Sequence, residues 1–272
     1  MNNSGRMGIR PNFFMEDSLR ESLADLPLGE IRYYDRIGST NDEALGWASE
    51  GAADLSLVVA NEQTHGRGRL ERQWFTARDS ALAFSLILRP EPVEKAQPSL
   101  LTGLLALALV DSLRPLGLSI NIKWPNDVLV DGKKIAGVLV ESTWTGEQPD
   151  AFVLGMGVNV TSASVPPTHK LLYPATSIVS ASGRRIERQA LLHDILQRVL
   201  FWRPSLHTTN FLKTWESHLA FQGEQVCVES ENQAMLHGTL LGLDREGRLK
   251  LQNEHGETMT IHSGDVHLRP VP

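Results

Sequence analysis

The stretch Glu62-Gln63-Thr64-His65-Gly66-Arg67-Gly68-Arg69-Leu70-Glu71-Arg72-Gln73-Trp74 carries three arginines and two glycines within seven residues, just ahead of a tryptophan. Glycine lets a backbone turn its N–H groups toward one point, and arginine adds a forked donor that is always charged. This arginine loop is therefore expected either to bind an anion or to form a solvated hairpin tip. The loop alone leaves both possibilities open.

The chain around the arginine loop is acidic and has an ordinary globular composition. Its 272 residues carry a formal net charge of -6, with 41% apolar and 21% charged residues. A general nucleic-acid binder normally shows a dominant basic surface, so this balance argues against one. A small anionic ligand held by a local basic loop remains compatible with it. The length suits one large domain and a small one.

The single cysteine, Cys227, cannot form a disulfide within the chain, so a reducing, cytoplasmic compartment is expected. Its valine neighbours predict that it is a small, buried apolar residue. Residues 1–14 lack the long apolar core of a signal peptide. The most apolar run, Leu100 to Val110, is about half the length of a membrane span, so we predict a buried helix and no membrane partner.

The order of the predicted elements favours an α+β fold, with a mixed or antiparallel sheet and helices packed on it. Hydrophobic spacing predicts helices over 16–26, 40–49, 98–113, 187–202 and 211–219, and strands over 31–35, 56–61, 82–88, 121–124, 128–130, 135–142 and 152–160. Thr40 with Glu43 predicts a capping box for the second helix, and Asp131-Gly132 predicts a hairpin turn.

Short strands and turn signals fill the chain after Gly223 and predict a small β-barrel. We therefore expect an N-terminal extension at 1–30, a larger domain at 31–220 and a small C-terminal domain at 221–272. Residues 1–12 of the extension are expected to form a loose terminus.

A second polar cluster, Lys123-Trp124-Pro125-Asn126-Asp127, places an amide and a carboxylate at the tip of a rigid turn. Asp127 could bind a divalent cation through oxygen, and Asn126 could pair with phosphate oxygen or with the water shell of the metal. Alternatively, both side chains cap the turn, which is a common role for these residue types. The hairpin that follows brings Lys134 back near its start.

Two further clusters are electrically neutral. Gly38-Ser39-Thr40-Asn41 suits either a helix cap or a neutral polar ligand, and Gly155-Met156-Gly157-Val158-Asn159 suggests a β-bulge or a close approach by a flat ligand. The scattered histidines show no zinc-ligand spacing, so no zinc site is expected. The chain also lacks a Gly-x-Ser-x-Gly elbow, which argues against a serine hydrolase.

These clusters, in this order, resemble the biotin protein ligases from residue 31 to the end of the chain. The matching segments are Gly38-Ser39-Thr40-Asn41, Glu62-Gln63 with Gly66-Arg67-Gly68-Arg69, Lys123-Trp124-Pro125-Asn126-Asp127, Lys134-Ile135-Ala136-Gly137, Gly155-Met156-Gly157-Val158-Asn159, Ala175-Thr176-Ser177 and Val266-His267-Leu268-Arg269. The resemblance implies a catalytic domain like that of class II synthetases, followed by an SH3-like barrel. It also implies that biotin and ATP, with Mg²⁺, give biotinyl-5′-AMP, from which a lysine of biotin carboxyl carrier protein takes the biotin.

The resemblance also assigns roles to single residues. The biotin-binding residues are expected to be Ser39, Thr40, Asn41, Gln63, Gly66, Arg67, Gly68, Arg69, Lys134, Gly137, Gly155 and Gly157. The ATP-binding residues are expected to be Arg69, Arg72, Trp74, Asn126, Asp127, Asn159 and Arg269. Lys134, Arg67 and Arg69 are the expected catalytic residues, because a carboxylate can approach a polyphosphate only if the like charges are neutralised. Asp127 is the expected metal ligand.

The chain departs from the family pattern at two positions of the arginine loop. Glu71 stands where the family commonly has a glycine, and His65 stands where it usually has a small residue. Both positions bear on how the loop closes over a ligand.

The resemblance further implies which partners to expect. The carrier protein of acetyl-CoA carboxylase is the expected protein substrate. Some relatives carry an N-terminal helix-turn-helix domain, but residues 1–30 show no basic recognition helix, so no DNA binding is expected. A homodimer through a free sheet edge is possible. Two other functions stay open. Lipoate or octanoyl transfer does not explain the arginine loop together with the Trp-Pro-Asn-Asp turn, and the expected lack of a DNA-binding domain argues against non-catalytic biotin sensing.

Overall fold

The computed structural model of the protein describes residues 13–167, 169, 171, 173–230, 233–262 and 266–270. The predicted loose terminus, residues 1–12, lies outside this part of the chain, and so does the side chain of Arg269. The described strands form two sheets, one of seven strands and one of five.

The larger sheet is mixed, as the sequence predicts. Its strands are β1 (Ile31–Tyr34), β2 (Ser56–Ala60), β3 (Ala81–Leu88), β4 (Ile120–Lys123), β5 (Asp127–Val130), β6 (Lys133–Thr145) and β7 (Gln148–Asn159). They lie in the order β1-β2-β3-β7-β6-β5-β4, with β1 and β2 parallel and all other neighbours antiparallel. Every residue of β3 is buried, because this central strand is covered on both faces.

Helices cover both faces of the larger sheet. They are α1 (Phe13–Ser22), α2 (Thr40–Ser49), α3 (Pro92–Ala96), α4 (Ser99–Leu113), α5 (Ile178–Ser182), α6 (Arg188–Trp202) and α7 (Thr209–Ser217). On one face, α2 packs Ala44 and Trp47 against residues of β2, β3 and β7. On the other face, α4 lies between the sheet and α6. The short helix α3 is not predicted from the sequence, and α1 ends four residues before its predicted end at 26.

The helix α4 is apolar around its whole circumference because it is enclosed by other elements. Among the described residues, Ser99–Leu116 is the one stretch long and apolar enough to cross a membrane, judged by length and composition. Most of this stretch is buried inside the protein, so the predicted buried helix is confirmed.

The capping box predicted from Thr40 and Glu43 is wrong. The helix α2 already includes Thr40, and its N-cap is Ser39, whose hydroxyl accepts a hydrogen bond from the Asp42 N–H at 3.4 Å. Glu43 accepts instead from the Tyr34 hydroxyl at 2.7 Å. Because Ser39 and not Thr40 is the N-cap, the Thr40 hydroxyl is left for contacts outside the helix.

The smaller sheet is built from the C-terminal part of the chain. Its strands are β8 (Gln225–Ser230), β9 (Gln233–Leu243), β10 (Leu249–Gln252), β11 (Thr258–Ile261) and β12 (Val266–Pro270), in the order β11-β10-β9-β8-β12. All of its pairings are antiparallel. The domain boundary near 220 stays a prediction.

The prediction that Cys227 is buried is wrong. Its side chain is of intermediate exposure, whereas Val226 and Val228 on either side are buried. Successive side chains of a strand point to opposite faces, so the two valines take the core face of β8 and turn the cysteine away from it.

The helix α1 and the turn that follows it are attached to α6 by an apolar contact and by one ion pair. Leu19 and Leu23 are buried in the core, and His193 Nε2 lies 3.0 Å from both carboxylate oxygens of Asp25. Hydrogen bonding to Asp25 raises the pKa of His193, with a smaller contribution from Asp194. The same hydrogen bond lowers the pKa of Asp25.

We predict that this attachment weakens as the pH rises. A raised histidine pKa contributes stability that is fully present below the ordinary histidine pKa of 6.5 and is lost as the pH passes the higher pKa of the folded protein. The Asp25 contribution is lost only in acid, as the pH falls through its lowered pKa. Urea unfolding between pH 6 and 8 should therefore show a smaller loss of stability for His193→Gln than for the unaltered protein. His207→Gln, at an exposed histidine, is the control, and equal slopes for both variants would contradict the prediction.

Candidate active site

A cavity of about 600 Å³ opens where the arginine loop meets the larger sheet. It brings together every predicted site residue whose side chain the structure describes. These are Ser39, Thr40, Asn41, Gln63, Gly66, Arg67, Gly68, Arg69, Arg72, Trp74, Asn126, Asp127, Lys134, Gly137, Gly155, Gly157 and Asn159. The exception is Arg269, which lies in β12 and whose side chain is outside the described part of the chain.

The cavity concentrates positive charge in an acidic protein. Its described lining includes five cationic side chains, Arg67, Arg69, Arg72, Lys123 and Lys134, and the single carboxylate of Asp127. The whole chain has a formal net charge of -6. Such a cluster has a strong affinity for a polyanion, because the charges converge on one partly desolvated space.

The arginine loop is folded as a tight hairpin. The Trp74 N–H donates to Gly66 O at 2.7 Å, and the Gly68 N–H donates to Arg72 O at 2.7 Å. Across the tip, the Arg72 N–H donates to Arg69 O at 3.1 Å. The two residues at the tip both have left-handed backbone conformations, Leu70 with φ 56° and Glu71 with φ 56°.

Positive φ at both central positions defines a type I′ turn, which favours glycine and asparagine. Glu71 therefore occupies a position where a side chain is strained. This explains in physical terms why a glycine would suit the position.

One end of the cavity is neutral and highly hydrogen-bonded. Gln63 Oε1 accepts from the Thr40 N–H at 2.8 Å and from the Thr40 hydroxyl at 3.1 Å. Ser85 Oγ is fully buried and is hydrogen-bonded to Asn41 Oδ1 at 2.6 Å and to Thr40 Oγ1 at 2.8 Å. Ser85 is a residue that the sequence analysis missed. The feature that could have identified it from the sequence is that it is the single hydroxyl residue in the apolar strand Ala81–Leu88.

A second missed residue, Glu141, holds the border between the neutral and charged ends. It accepts from Asn41 Nδ2 at 2.8 Å and forms an ion pair with Arg67 Nη2. Arg67 Nε is also 2.9 Å from Asp42 Oδ1. Two carboxylates thus fix the guanidinium of Arg67 beside the neutral end.

The glycines of β7 allow other side chains to lie close to the strand, and they do not form a β-bulge. The pairing of β7 with β3 and β6 runs without a register shift through Gly155 and Gly157. A Cβ at Gly157 would overlap the indole of Trp74, and a Cβ at Gly155 would overlap the amide of Asn41. The flat group lying on this strand is therefore a side chain of the protein itself. The indole Nε1 of Trp74 is buried and has no acceptor among the described residues.

The Trp-Pro-Asn-Asp turn supplies the charged end with one amide and one carboxylate. Asn126 Nδ2 donates to Val138 O at 3.0 Å, and Arg69 Nη1 lies 3.4 Å from Asn126 Oδ1. Asp127 Oδ1 lies 2.6 Å from Lys134 Nζ. The described residues contain no group of three His, Cys, Asp or Glu side chains that could hold a metal ion, so a cation at Asp127 would need other ligands as well, such as water or substrate oxygens.

The loop before α5 closes the remaining side of the cavity. Asn159 Nδ2 donates to Thr176 O at 3.1 Å, and Lys123 Nζ lies 4.2 Å from the ring centroid of Tyr173. Burial raises the pKa of Tyr173, and the charge of Asp127 raises it further, so the phenol stays neutral. Tyr173 was not singled out from the sequence, because its proline-rich surroundings indicate only a loop.

The chain is similar to known proteins over most of its length. The Biotin/lipoate A/B protein ligase family matches residues 33–159, and the Biotin protein ligase C terminal domain matches residues 221–269. A bifunctional ligase/repressor, BirA, of Bacillus spizizenii is 34% identical over 269 residues, which cover 97% of this chain and 82% of that protein. The chain belongs to the biotin protein ligase family.

Other biotin protein ligases extend the comparison. A biotin--[acetyl-CoA-carboxylase] ligase of Mycobacterium tuberculosis is 33% identical, covering 93% of this chain and 96% of its own. A structure of biotin protein ligase from Aquifex aeolicus in complex with biotin and ATP has a TM-score of 0.75 and 28% identity, covering 89% of this chain and 99% of that one. The predicted family, the α+β fold with its small C-terminal sheet and the class of enzyme are confirmed. The roles of single site residues stay predictions.

We predict that Glu71→Gly is more stable than Glu71→Ala by about 1 kcal/mol, because only glycine adopts the left-handed tip without strain. Both variants remove the same carboxylate, so their difference isolates the Cβ. The measurement is the free energy of unfolding in urea. Equal values for the two variants would show that the tip is not held in the left-handed conformation.

Proposed function

We propose that this chain is a biotin protein ligase that uses ATP to convert biotin to biotinyl-5′-AMP and then transfers biotin to a lysine of a carrier protein. One observation carries the proposal. A single cavity joins a neutral, hydrogen-bonding end to a cluster of five cations, in a chain whose net charge is -6. Biotin has a neutral polar ring, which suits the neutral end of the cavity. It also has a carboxylate that reacts with ATP, and these two anionic groups suit the cationic end.

The neutral end suits the ureido ring of biotin. Such a ring offers both N–H donors and a carbonyl acceptor, and it carries no charge. Thr40, Asn41 and Gln63 present hydroxyl and amide groups, and Ser85 fixes the direction of two of them. A buried site of matched polar groups discriminates strongly against analogues that leave one of its groups unpaired.

The cationic end suits the first chemical step. The biotin carboxylate must attack the α-phosphate of ATP, and both groups are negative. Arg69 and Lys134 both line this cavity. They can neutralise the negative charge of the two groups as these approach each other, and the charge that spreads over the phosphate oxygens during the reaction. Lys134 is held ready by Asp127 at 2.6 Å and can exchange that carboxylate for a substrate oxygen.

Mg²⁺ fits this end only as a partner of the nucleotide. Asp127 is the one carboxylate among the described lining residues, and Mg²⁺ characteristically takes one or two carboxylates together with substrate phosphates. When bound, the ion would neutralise phosphate charge. Asp127 would hold it, while Lys134 turns to the substrate.

The second step needs a lysine from another protein. The ligase names of the relatives support a carboxyl carrier partner in general. We propose that the carrier of acetyl-CoA carboxylase is the one accepted. The absence of DNA binding, the homodimer and the cytoplasmic location stay predictions.

We predict that the protein with biotin, α-labelled ATP and a purified carrier domain yields AMP and biotin-labelled carrier. Without biotin, neither product should form, because no acyl group is present to activate. A carrier whose target lysine is replaced by arginine is the matched control and should stop the reaction at biotinyl-AMP. No biotin-dependent AMP with the intact carrier would refute the proposed function. Lipoate labelling in its place would identify the related acyl transfer.

We predict that Arg69→Ala speeds the release of biotinyl-AMP at least about tenfold, since a charge-assisted contact commonly contributes 1.5–3 kcal/mol. Arg78→Ala is the control, because Arg78 is exposed and pairs with Asp35 outside the cavity. The measurement is the decay of labelled adenylate bound to the enzyme after a chase with unlabelled ligand. Equal release rates for the two variants would remove Arg69 from the nucleotide side.

A further inference from the structure

The turn that joins β9 to β10, residues 244–248, contacts the candidate active site from the C-terminal sheet. We call it the Asp244 turn. The indole Nε1 of Trp124 donates a hydrogen bond to Gly247 O at 3.0 Å, and this bond is buried. Trp124 is only 1% exposed and begins the Trp-Pro-Asn-Asp turn. A group in the smaller sheet therefore touches the start of the turn that carries Asn126 and Asp127.

The Asp244 turn is built as a rigid unit. Asp244 Oδ1 accepts from the N–H groups of Glu246 and Arg248, both at 2.9 Å, and Arg248 Nε donates to Asp244 Oδ2 at 2.6 Å. Burial opposes ionisation, but these hydrogen bonds outweigh it and hold the pKa of Asp244 below its usual range. The carboxylate therefore stays ionised near neutral pH and keeps Gly247 O fixed in direction.

The same turn is wedged between two helices of the larger domain. A Cβ at Gly247 would lie 2.6 Å from Trp215 in α7 and 3.0 Å from Leu100 in α4, and its φ is 73°. The Ser99 hydroxyl donates to Glu246 O at 2.5 Å. The position therefore requires glycine, and the turn cannot shift without disturbing packing on both sides.

Beyond Trp124, the contacts lead directly to the charged end of the cavity. The Val138 N–H donates to Asn126 O at 2.9 Å, and Asn126 in turn meets Arg69. Asp127 pairs with Lys134. The neutral end is built mainly from α2, β3 and Gln63, and Glu141 of β6 lies at its border.

We infer that the Asp244 turn positions the nucleotide side of the active site, and that Trp124 is a positioning residue for adenylate formation. The hydrogen bond from Trp124 to Gly247 holds the base of the Trp-Pro-Asn-Asp turn, and the turn places Asn126 and Asp127 against Arg69 and Lys134. The small C-terminal sheet thus acts on the reaction through one buried hydrogen bond. In this bond its group is the backbone oxygen of Gly247 and not a side chain. The inference rests on the proposed function.

The test compares two conservative changes in the same interface. Trp124→Phe keeps an aromatic ring but removes the donor to Gly247 O. Trp215→Phe makes the same replacement a short distance away, where the indole Nε1 is buried and has no acceptor among the described residues. Both variants remove an indole that lies beside Gly247, but only Trp124→Phe also removes a hydrogen bond to it.

Trp124→Phe should raise the KM for ATP about tenfold and speed biotinyl-AMP release to a similar extent, since a buried acceptor is left unpaired. The dissociation constant for biotin should stay within about twofold, because the neutral end is untouched. Hydrogen exchange at the Val138 amide should also accelerate, since that amide donates to the displaced turn. Trp215→Phe should leave the KM for ATP, the release rate and the Val138 exchange near those of the unaltered protein.

Three results would overturn the inference. They are an unchanged KM for ATP in Trp124→Phe, an equal rise in Trp215→Phe, and a parallel loss of biotin affinity, which would indicate general loosening. If the unaltered protein forms no biotin-dependent AMP, the proposed function fails instead. In that case the exchange rates at Val138 in the two variants still decide whether Trp124 positions the turn.

Discussion

Five cationic side chains converge on one cavity, and their mutual repulsion is the constraint that the rest of the site must satisfy. Carboxylates at the border of the cluster reduce this repulsion. Asp42 and Glu141 hold Arg67, and Asp127 holds Lys134. Partly exposed ion pairs contribute little to folding stability, but they fix the direction of long side chains. These carboxylates therefore serve mainly to hold the side chains of Arg67 and Lys134 in place at the cavity.

The larger sheet provides the floor on which this arrangement rests. β7 passes through the centre of the sheet with two bare glycines, and the side chains of Trp74 and Asn41 lie directly on them. Trp74 comes from the arginine loop and Asn41 comes from the first turn of α2. The strand thus brings two distant segments of sequence onto one surface. The neutral and charged ends can share one cavity because a side chain from each of them packs on β7.

The sequence predicts the parts of the site that depend on local chemistry. Asp131-Gly132 predicts its hairpin because both residues tolerate left-handed backbone, and both are found with positive φ. The run around Leu104 predicts a buried helix because it has no polar face. The residues gathered in the cavity follow from motifs, each of which carries its own chemistry.

What the sequence does not reveal depends on distant contacts or on one-residue offsets. Ser39 and Thr40 are both suitable N-cap residues, and Ser39, with an extended backbone, takes the position. Cys227 points away from the core because successive side chains of β8 point to opposite faces. Its apolar neighbours in the sequence do not show which face it takes. Ser85 and Glu141 matter through partners 44 and 100 positions away in sequence, so no local pattern marks them.

The pairing of Lys134 with Asp127 has a consequence for how ligands enter. The ammonium already has an anionic partner, so an arriving carboxylate or phosphate replaces one anion with another. Such a replacement leaves the number of close charge pairs unchanged, and the gain depends on how well the new oxygen fits the geometry. In its proposed role, Lys134 would bind a ligand by shape more than by total attraction, and this binding would be less sensitive to ionic strength than an encounter of two unpaired charges.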